Sequence, residues 1–209
     1  MAVSSFKRRK IMERIAVFLD YGNVHMLGHD LFGHGMDKRD TYVNPRLLGD
    51  RVVGKRRNAS ELAGVFVFRG EPSKFRDSVG AATFRKQKSR WAADPLVTGT
   101  YLPLRYQDDR RPPKETGVDV RMSLNLVKAA QSGDYDAIVV FTGDGDCFPA
   151  IEDATQTGTR IEVAAWTDGT GFKGSLATAL AVNRLGLWCH RLNDDDFWDC
   201  QDLPLPAAA

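Results

Sequence analysis

The chain is poor in cysteine and has no long apolar run. Its three cysteines, Cys147, Cys189 and Cys200, form no Cys-x-x-Cys pair and cannot all pair with one another. That argues against a disulfide framework and suits reduced, buried thiols. No apolar stretch approaches the roughly 18 residues needed to span a bilayer. The segment Phe6-Lys7-Arg8-Arg9-Lys10 is basic, but the apolar run after it ends at Asp20, too short and too quickly charged for a secretory leader. A cytoplasmic protein is expected. Charge of one sign is also scarce, with 29 Lys and Arg against 27 Asp and Glu, a net charge of +2. At 209 residues and 43% hydrophobic content, the length suits one domain with a sizeable core. That domain is expected over 14–199, with a basic flexible tail at 1–13 and a second tail at 200–209.

What the sequence does have is four aspartates in three short motifs. Asp20 closes the apolar run Ile15-Ala16-Val17-Phe18-Leu19, Asp119 lies in Lys114-Glu115-Thr116-Gly117-Val118-Asp119-Val120, and Asp144 and Asp146 follow Ala137-Ile138-Val139-Val140-Phe141 in Thr142-Gly143-Asp144-Gly145-Asp146. Acids placed just past buried strands converge at one edge of a parallel sheet, where open α/β folds put their ligand sites. Such a cluster calls for cations, and Mg²⁺ or Mn²⁺ with phosphodiester hydrolysis is the chemistry that fits. With the four acids neutralised, the rest of the molecule carries 29 basic against 23 acidic residues, an excess that suits a polyanionic substrate.

The strand candidates are 15–20, 62–68, 97–104, 136–142, 159–165 and 186–190, several of them apolar throughout, as strands buried on both faces are. Helix candidates fall at 45–57, 74–93, 118–132, 147–157 and 174–184. The fold class is an α/β three-layer sandwich around a parallel sheet. Segments 21–43 and 107–114 read as surface loops.

Helix capping competes with metal binding for each acid. An acid at a helix N-terminus gains roughly 0.3–1 kcal/mol. Two like charges about 6 Å apart repel by roughly 3 kcal/mol at an effective dielectric of about 20. Capping therefore explains one of these acids but not a converging set. Thr116-x-x-Asp119 has the outline of a capping box, and Asp20-Tyr21-Gly22-Asn23 that of an Asx turn. Gly22 stands where a haloacid-dehalogenase-type phosphatase needs its second acid, and Asp20 lacks the neighbouring acid of a receiver domain. His25, His29 and His34 match no zinc spacing.

The motifs Phe18-Leu19-Asp20-Tyr21-Gly22-Asn23, Lys114 to Val120, and Thr142-Gly143-Asp144-Gly145-Asp146-Cys147-Phe148-Pro149 resemble, in that order, those of the NYN family of PIN-like nucleases, in its bacterial branch. Gly158 to Val163, Phe68-Arg69-Gly70 and Pro103-Leu104-Arg105-Tyr106 are similar to the same branch, so the likeness covers roughly residues 15 to 197. It implies a sheet of order 3-2-1-4-5, Mg²⁺- or Mn²⁺-dependent RNase activity, and Asp20, Asp119, Asp144 and Asp146 as the catalytic, metal-binding acids. It places Asn23 on the family's polar position. Asn125 stands where the family often has Asp, and Cys147 where it favours Phe. Asn125 and Thr142 join Asn23 as residues supporting the acids or touching substrate. The expected partner is RNA, single-stranded or with exposed loops, with homo-oligomerisation open. For RNA contact the sequence offers Arg69, Arg105, Arg110, Arg111 and Lys114, with Tyr21 and Tyr106 to stack unpaired bases. The bases of Phe84 to Trp91 are read as the solvated face of an amphipathic helix.

Overall fold

The computed structural model describes residues 12–107 and 112–202. Six strands form one all-parallel sheet: β1 (Glu13–Asp20), β2 (Ser60–Glu71), β3 (Val97–Pro103), β4 (Ala137–Phe141), β5 (Arg160–Trp166) and β6 (Cys189–Leu192). Their order is β3-β2-β1-β4-β5-β6. This extends the expected five-strand order by one parallel strand at the edge. The helices are α1 (Tyr21–Phe32), α2 (Pro45–Gly54), α3 (Ser78–Ala92), α4 (Val118–Ser132), α5 (Phe148–Thr155), α6 (Leu176–Leu185) and α7 (Asp194–Asp199).

Alternation along β1 sends its residues to two separate cores. Ile15, Val17 and Leu19 pack with Val24 and Phe32 of α1, Leu48 and Val52 of α2, Trp91 of α3 and Phe197 of α7. Ala16 and Phe18 pack with Met122 and Leu126 of α4, Ile151 of α5, and Ala177 and Ala181 of α6. A strand covered by helices on both faces must be apolar throughout, which is why β4 is buried at all five positions. The chain leaves β1 toward β2 on one side and β4 on the other, so the strand order reverses between β1 and β4. A crevice opens at that point, beyond the strands' carboxyl ends.

Three expectations are corrected. The first half of segment 21–43 is not a loop but α1, entered directly from β1, with Asp20 as its N-cap. Its glycines are packing residues: a Cβ on Gly28 would stand 2.5 Å from Phe197 Cε2 and 3.0 Å from Trp166 Nε1. The last strand begins at Cys189, later than the run 186–190, because Gly186 takes φ 66° to end α6. Residues 200–202, expected in a loose tail, are fastened. Cys200 is buried, Gln201 bridges to Val43, and Asp202 accepts from Arg90 Nη1 at 2.8 Å and from Asn44 Nδ2 at 3.2 Å. Among the described residues no helix is long and apolar enough to cross a membrane.

Candidate metal centre

The carboxyl ends of β1 and β4 and the start of α4 meet at the crevice. Asp119, Asp144 and Asp146 each bring a carboxylate oxygen there, all within 4.8 Å of one another. Asp20 is not part of that trio. It is buried beneath it, and its oxygens already have partners. Asn23 Nδ2 donates to Oδ2 at 2.6 Å, Thr142 Oγ1 donates to the same oxygen at 2.9 Å, and Asn23 N approaches Oδ1 at 3.4 Å. Burial pushes the Asp20 carboxyl above its usual pKa and Asp144 adds to the rise. The bonds from Asn23 and Thr142 oppose it without cancelling it. A positive ion at this end of the sheet would relieve that cost.

Local sequence explains how each acid is aimed. Thr142 is buried and uses its hydroxyl twice, donating to Asp20 and accepting from Asp144 N at 3.1 Å. One side chain thus ties the end of β1 to the loop after β4. Gly143 is required by crowding, since a Cβ would stand 2.6 Å from Gly174 O and 3.1 Å from Asn23 Oδ1. Asp144 caps the short 3₁₀ turn Gly145–Cys147, accepting from Asp146 N at 3.0 Å. The capping role is therefore real for Asp144, and it uses only one of the two carboxylate oxygens. Asp119 lies in the first turn of α4. The capping box does not form there: the N-cap position is Gly117 at φ 77°, with no side-chain cap. The left-handed residue turns the chain sharply into α4.

A fifth acid, Glu115, stands at the rim and was not among the sequence's candidates. Its Oε1 accepts from Gly70 N at 2.7 Å, and its head lies against Gly22, where a Cβ would come 3.0 Å from Oε2. The residue as a whole faces solvent, yet its carboxylate head is pressed on two backbones. Burial there pushes its pKa up, and Asp20 and Asp119 contribute in the same direction. The clue to Glu115 was the pair Gly22 and Gly70, which no local pattern connects.

The supporting residues divide. Asn23 lies against Asp20 as described. Asn125 donates to Arg121 O at 2.8 Å, within its own helix, so it braces α4 rather than the acids. Cys147 is buried 3.9 Å from Thr142 Oγ1, and burial pushes its thiol up to about 12, which leaves it unreactive. His25 is neutral, its pKa pulled down to about 4 by burial. It lies 2.9 Å from Lys38 O, and His29 lies 3.0 Å from Thr41 Oγ1, so these rings hold the loop after α1.

Two of the expected RNA contacts are corrected. Tyr21 is 1% exposed, with its hydroxyl donating to Val43 O at 2.8 Å, so it cannot stack a base. Arg69 is enclosed by aromatic rings, 4.7 Å from the Tyr21 centroid and 5.3 Å from that of Phe84, and donates to Gln87 Oε1 at 2.8 Å. It is structural rather than free for phosphate. Tyr106 is partly buried and accepts from Ser73 N at 3.0 Å. Arg105 and Lys114 are exposed and pair backbone to backbone, each N–H donating at 2.9 Å. Arg110 and Arg111 lie outside the described residues.

A concavity of about 680 Å³ lies at the opposite edge of the sheet, lined by Lys55, Arg57, Leu187, Trp188 and Arg191. It sits where α2 and α6 end. Cations belong at such ends, because helix C-termini carry partial negative charge. That accounts for Lys55, the C-cap of α2, while Arg57 lies over Trp188 at 5.1 Å and Arg191 over Phe172 at 5.0 Å from the ring centroids.

Three solved chains match this fold, and no curated protein matches the sequence. One of the three is a protein of unknown function, VPA0982, from Vibrio parahaemolyticus RIMD 2210633. It is 15% identical, with a TM-score of 0.57 over 88% of this chain and 95% of that one. At that identity the likeness speaks for the fold alone. The NYN domain signature matches residues 14–180, which takes in both strand-end motifs and the start of α4, and on that match the chain belongs to the NYN domain family.

Proposed function

We propose that this chain is a metal-dependent ribonuclease that hydrolyses RNA phosphodiester bonds at the crevice between β1 and β4. The observation that carries the proposal is the trio Asp119, Asp144 and Asp146 with oxygens within 4.8 Å of one another, above a buried Asp20, in a chain of a PIN-like nuclease family. Oxygen-only ligands from carboxylates suit a hard divalent cation such as Mg²⁺ or Mn²⁺. When bound, such an ion supplies a Lewis acid and lowers the pKa of a coordinated water.

The residues have distinct tasks in this reading. Asp119, Asp144 and Asp146 hold the ion and set where the phosphodiester is presented. Asp20 adds negative charge from below, and Thr142 and Asn23 keep its carboxylate fixed while Thr142 also fixes the Asp144 backbone. Glu115 fastens the chain before α4 to the ends of β1 and β2, so Asp119 is delivered on a rigid turn. No Ser-His or Cys-His nucleophile pair is needed, and the buried Cys147 takes no part.

Asp144→Asn tests the assignment. Its one capping bond to Asp146 N survives in the amide, so the metal-free melting temperature should stay nearly unchanged. Calorimetric titration with Mn²⁺ should show one or more binding events in the wild type and strongly weakened binding in the variant. A large loss of stability with metal binding intact would instead make Asp144 a capping residue only. A weakly cutting RNA-binding module is the second reading. The structure favours it at one point, because Asn125 brings no charge and is spent within its helix.

A further inference from the structure

Phe75 is 86% exposed, far more than any other large apolar side chain among the described residues. Its backbone is nevertheless fixed. Arg76 N and Asp77 N donate to Ser73 O at 3.2 and 2.8 Å, Phe75 N donates to Ser73 Oγ at 3.3 Å, and Ser73 N donates to Tyr106 Oη at 3.0 Å. Asp77 then caps α3 through Gly80 N at 2.8 Å. The loop from β2 to α3 thus holds an aromatic ring out into water at the same sheet edge as the acids. It is joined to them through covalent neighbours: Tyr106 follows Arg105, which pairs with Lys114, next to Glu115 and five residues before Asp119. The flanks are cationic. Lys74 Nζ lies 4.9 Å from the ring centroid, and Lys74, Arg105 and Lys114 have no carboxylate partner among the described residues.

We infer that Phe75 is the base-stacking platform of this site, with Lys74, Arg105 and Lys114 contacting the adjoining phosphates. The inference rests on the ribonuclease reading above and adds to it a binding residue that the motifs do not mark. Every base presents a flat face that a phenyl ring can cover, but a base inside a duplex is already covered on both sides. The two tyrosines that the sequence offered for this task are committed elsewhere, Tyr21 to the core and Tyr106 to Ser73. Val79, 56% exposed on α3, would suit a protein partner by itself, but the run of unpaired cations toward an acidic centre suits a polyanion.

The test uses the full chain carrying Asp144→Asn, so that RNA is bound but not cut. Binding of a labelled single-stranded oligouridine and of a duplex of equal length is followed by fluorescence anisotropy with Mn²⁺ present. Adding Phe75→Ala should weaken single-strand binding about five- to a hundredfold, leave duplex binding unchanged, and leave the melting curve in place. Phe75→Trp should restore affinity, with indole fluorescence quenched by the single strand. Equal single-strand binding with and without the ring would overturn the inference while leaving the ribonuclease reading standing, as would equal losses for single strand and duplex. Failure at low salt of both the parent and the wild type, the latter in EDTA to prevent cutting, to bind either RNA would overturn both.

Discussion

One hydroxyl decides much of the geometry at this centre. Thr142 bridges Asp20 and the Asp144 backbone, so Thr142→Val keeps the shape and removes both bonds. The variant should lose roughly 10- to 100-fold in Mn²⁺ affinity, the usual cost of removing a group that orients a ligand. It should also lose about 1–3 kcal/mol of stability, because Asp144 N and the Asp20 carboxylate are left short of a partner. Unchanged Mn²⁺ affinity in a calorimetric titration would show that Thr142 does not orient the acids. At this scale the sequence was readable where function follows strand ends. Asp20, Asp144 and Asp146 announce themselves by ending apolar runs, and Asp119 by opening an amphipathic helix. What stayed hidden depends on contacts far apart in the chain. Nothing near Tyr21 says that it will lie 4.8 Å from Trp91, nothing near Arg69 says that four rings will surround it, and Glu115 shows its place only once Gly22 and Gly70 are brought beside it.

Element boundaries show the same division. The apolar strands and the spacing of α4 gave residue ranges close to those observed, with 118–132 matched by α4 throughout. Local propensity reads α1 as loop, because it carries two glycines and two histidines, which count against a helix. Tertiary packing overrides that preference. Gly28 lets α1 close on Trp166 and Phe197, and Trp166 Nε1 donates to Val24 O at 2.8 Å across the contact. Gly28→Ala gains helix propensity, yet it pushes a methyl group into two aromatic rings. The expected net result is a loss of about 1–3 kcal/mol, read as a lower melting temperature. A raised melting temperature would mean that the rings give way and that propensity dominates at this position. Gly70→Ala should act on the site as well, since its Cβ would overlap Leu104 and stand 2.9 Å from Glu115 Cγ. Loosening Glu115 should weaken Mn²⁺ binding along with the fold.

Across the whole molecule, charge is arranged differently at the two edges of the sheet. At the carboxyl edge, Asp119, Asp144 and Asp146 gather with no basic partner among the described residues. At the amino edge the acids are paired: Glu162 accepts from the largely buried Arg56 and from His190 at 2.6 Å, while Glu13 accepts from Arg56 at 2.8 Å and Arg160 at 2.5 Å. Burial alone would raise the pKa of Glu162, but the bonds from His190 and Arg56 outweigh it and hold the carboxyl below its ordinary 4.5. A lowered folded pKa means that the stabilisation is complete above about pH 4.5 and is lost as pH falls through the folded value. Glu162→Gln should therefore lower stability at neutral pH and flatten the loss of stability below pH 4.5. Glu162→Ala should cost about 3 kcal/mol, toward the low end for a broken buried pair because Glu13 still faces Arg56. Chemical denaturation across pH 3–7 checks both, and an acid limb identical to wild type would contradict the assignment. The opposite edge should respond to metal as well. Mn²⁺ should raise the melting temperature of the wild type in proportion to its binding, and not that of Asp144→Asn.

The most direct test of the whole account is RNA cleavage. Single-stranded, hairpin and tRNA-like RNAs would be incubated with the wild type, Asp144→Asn and Asp20→Asn, each in Mn²⁺, Mg²⁺ or EDTA. The account predicts cutting by the wild type with metal, none in EDTA, and none by either variant. Cutting that persists in EDTA or in both variants, or a wild type that binds RNA but leaves every substrate intact, would contradict it.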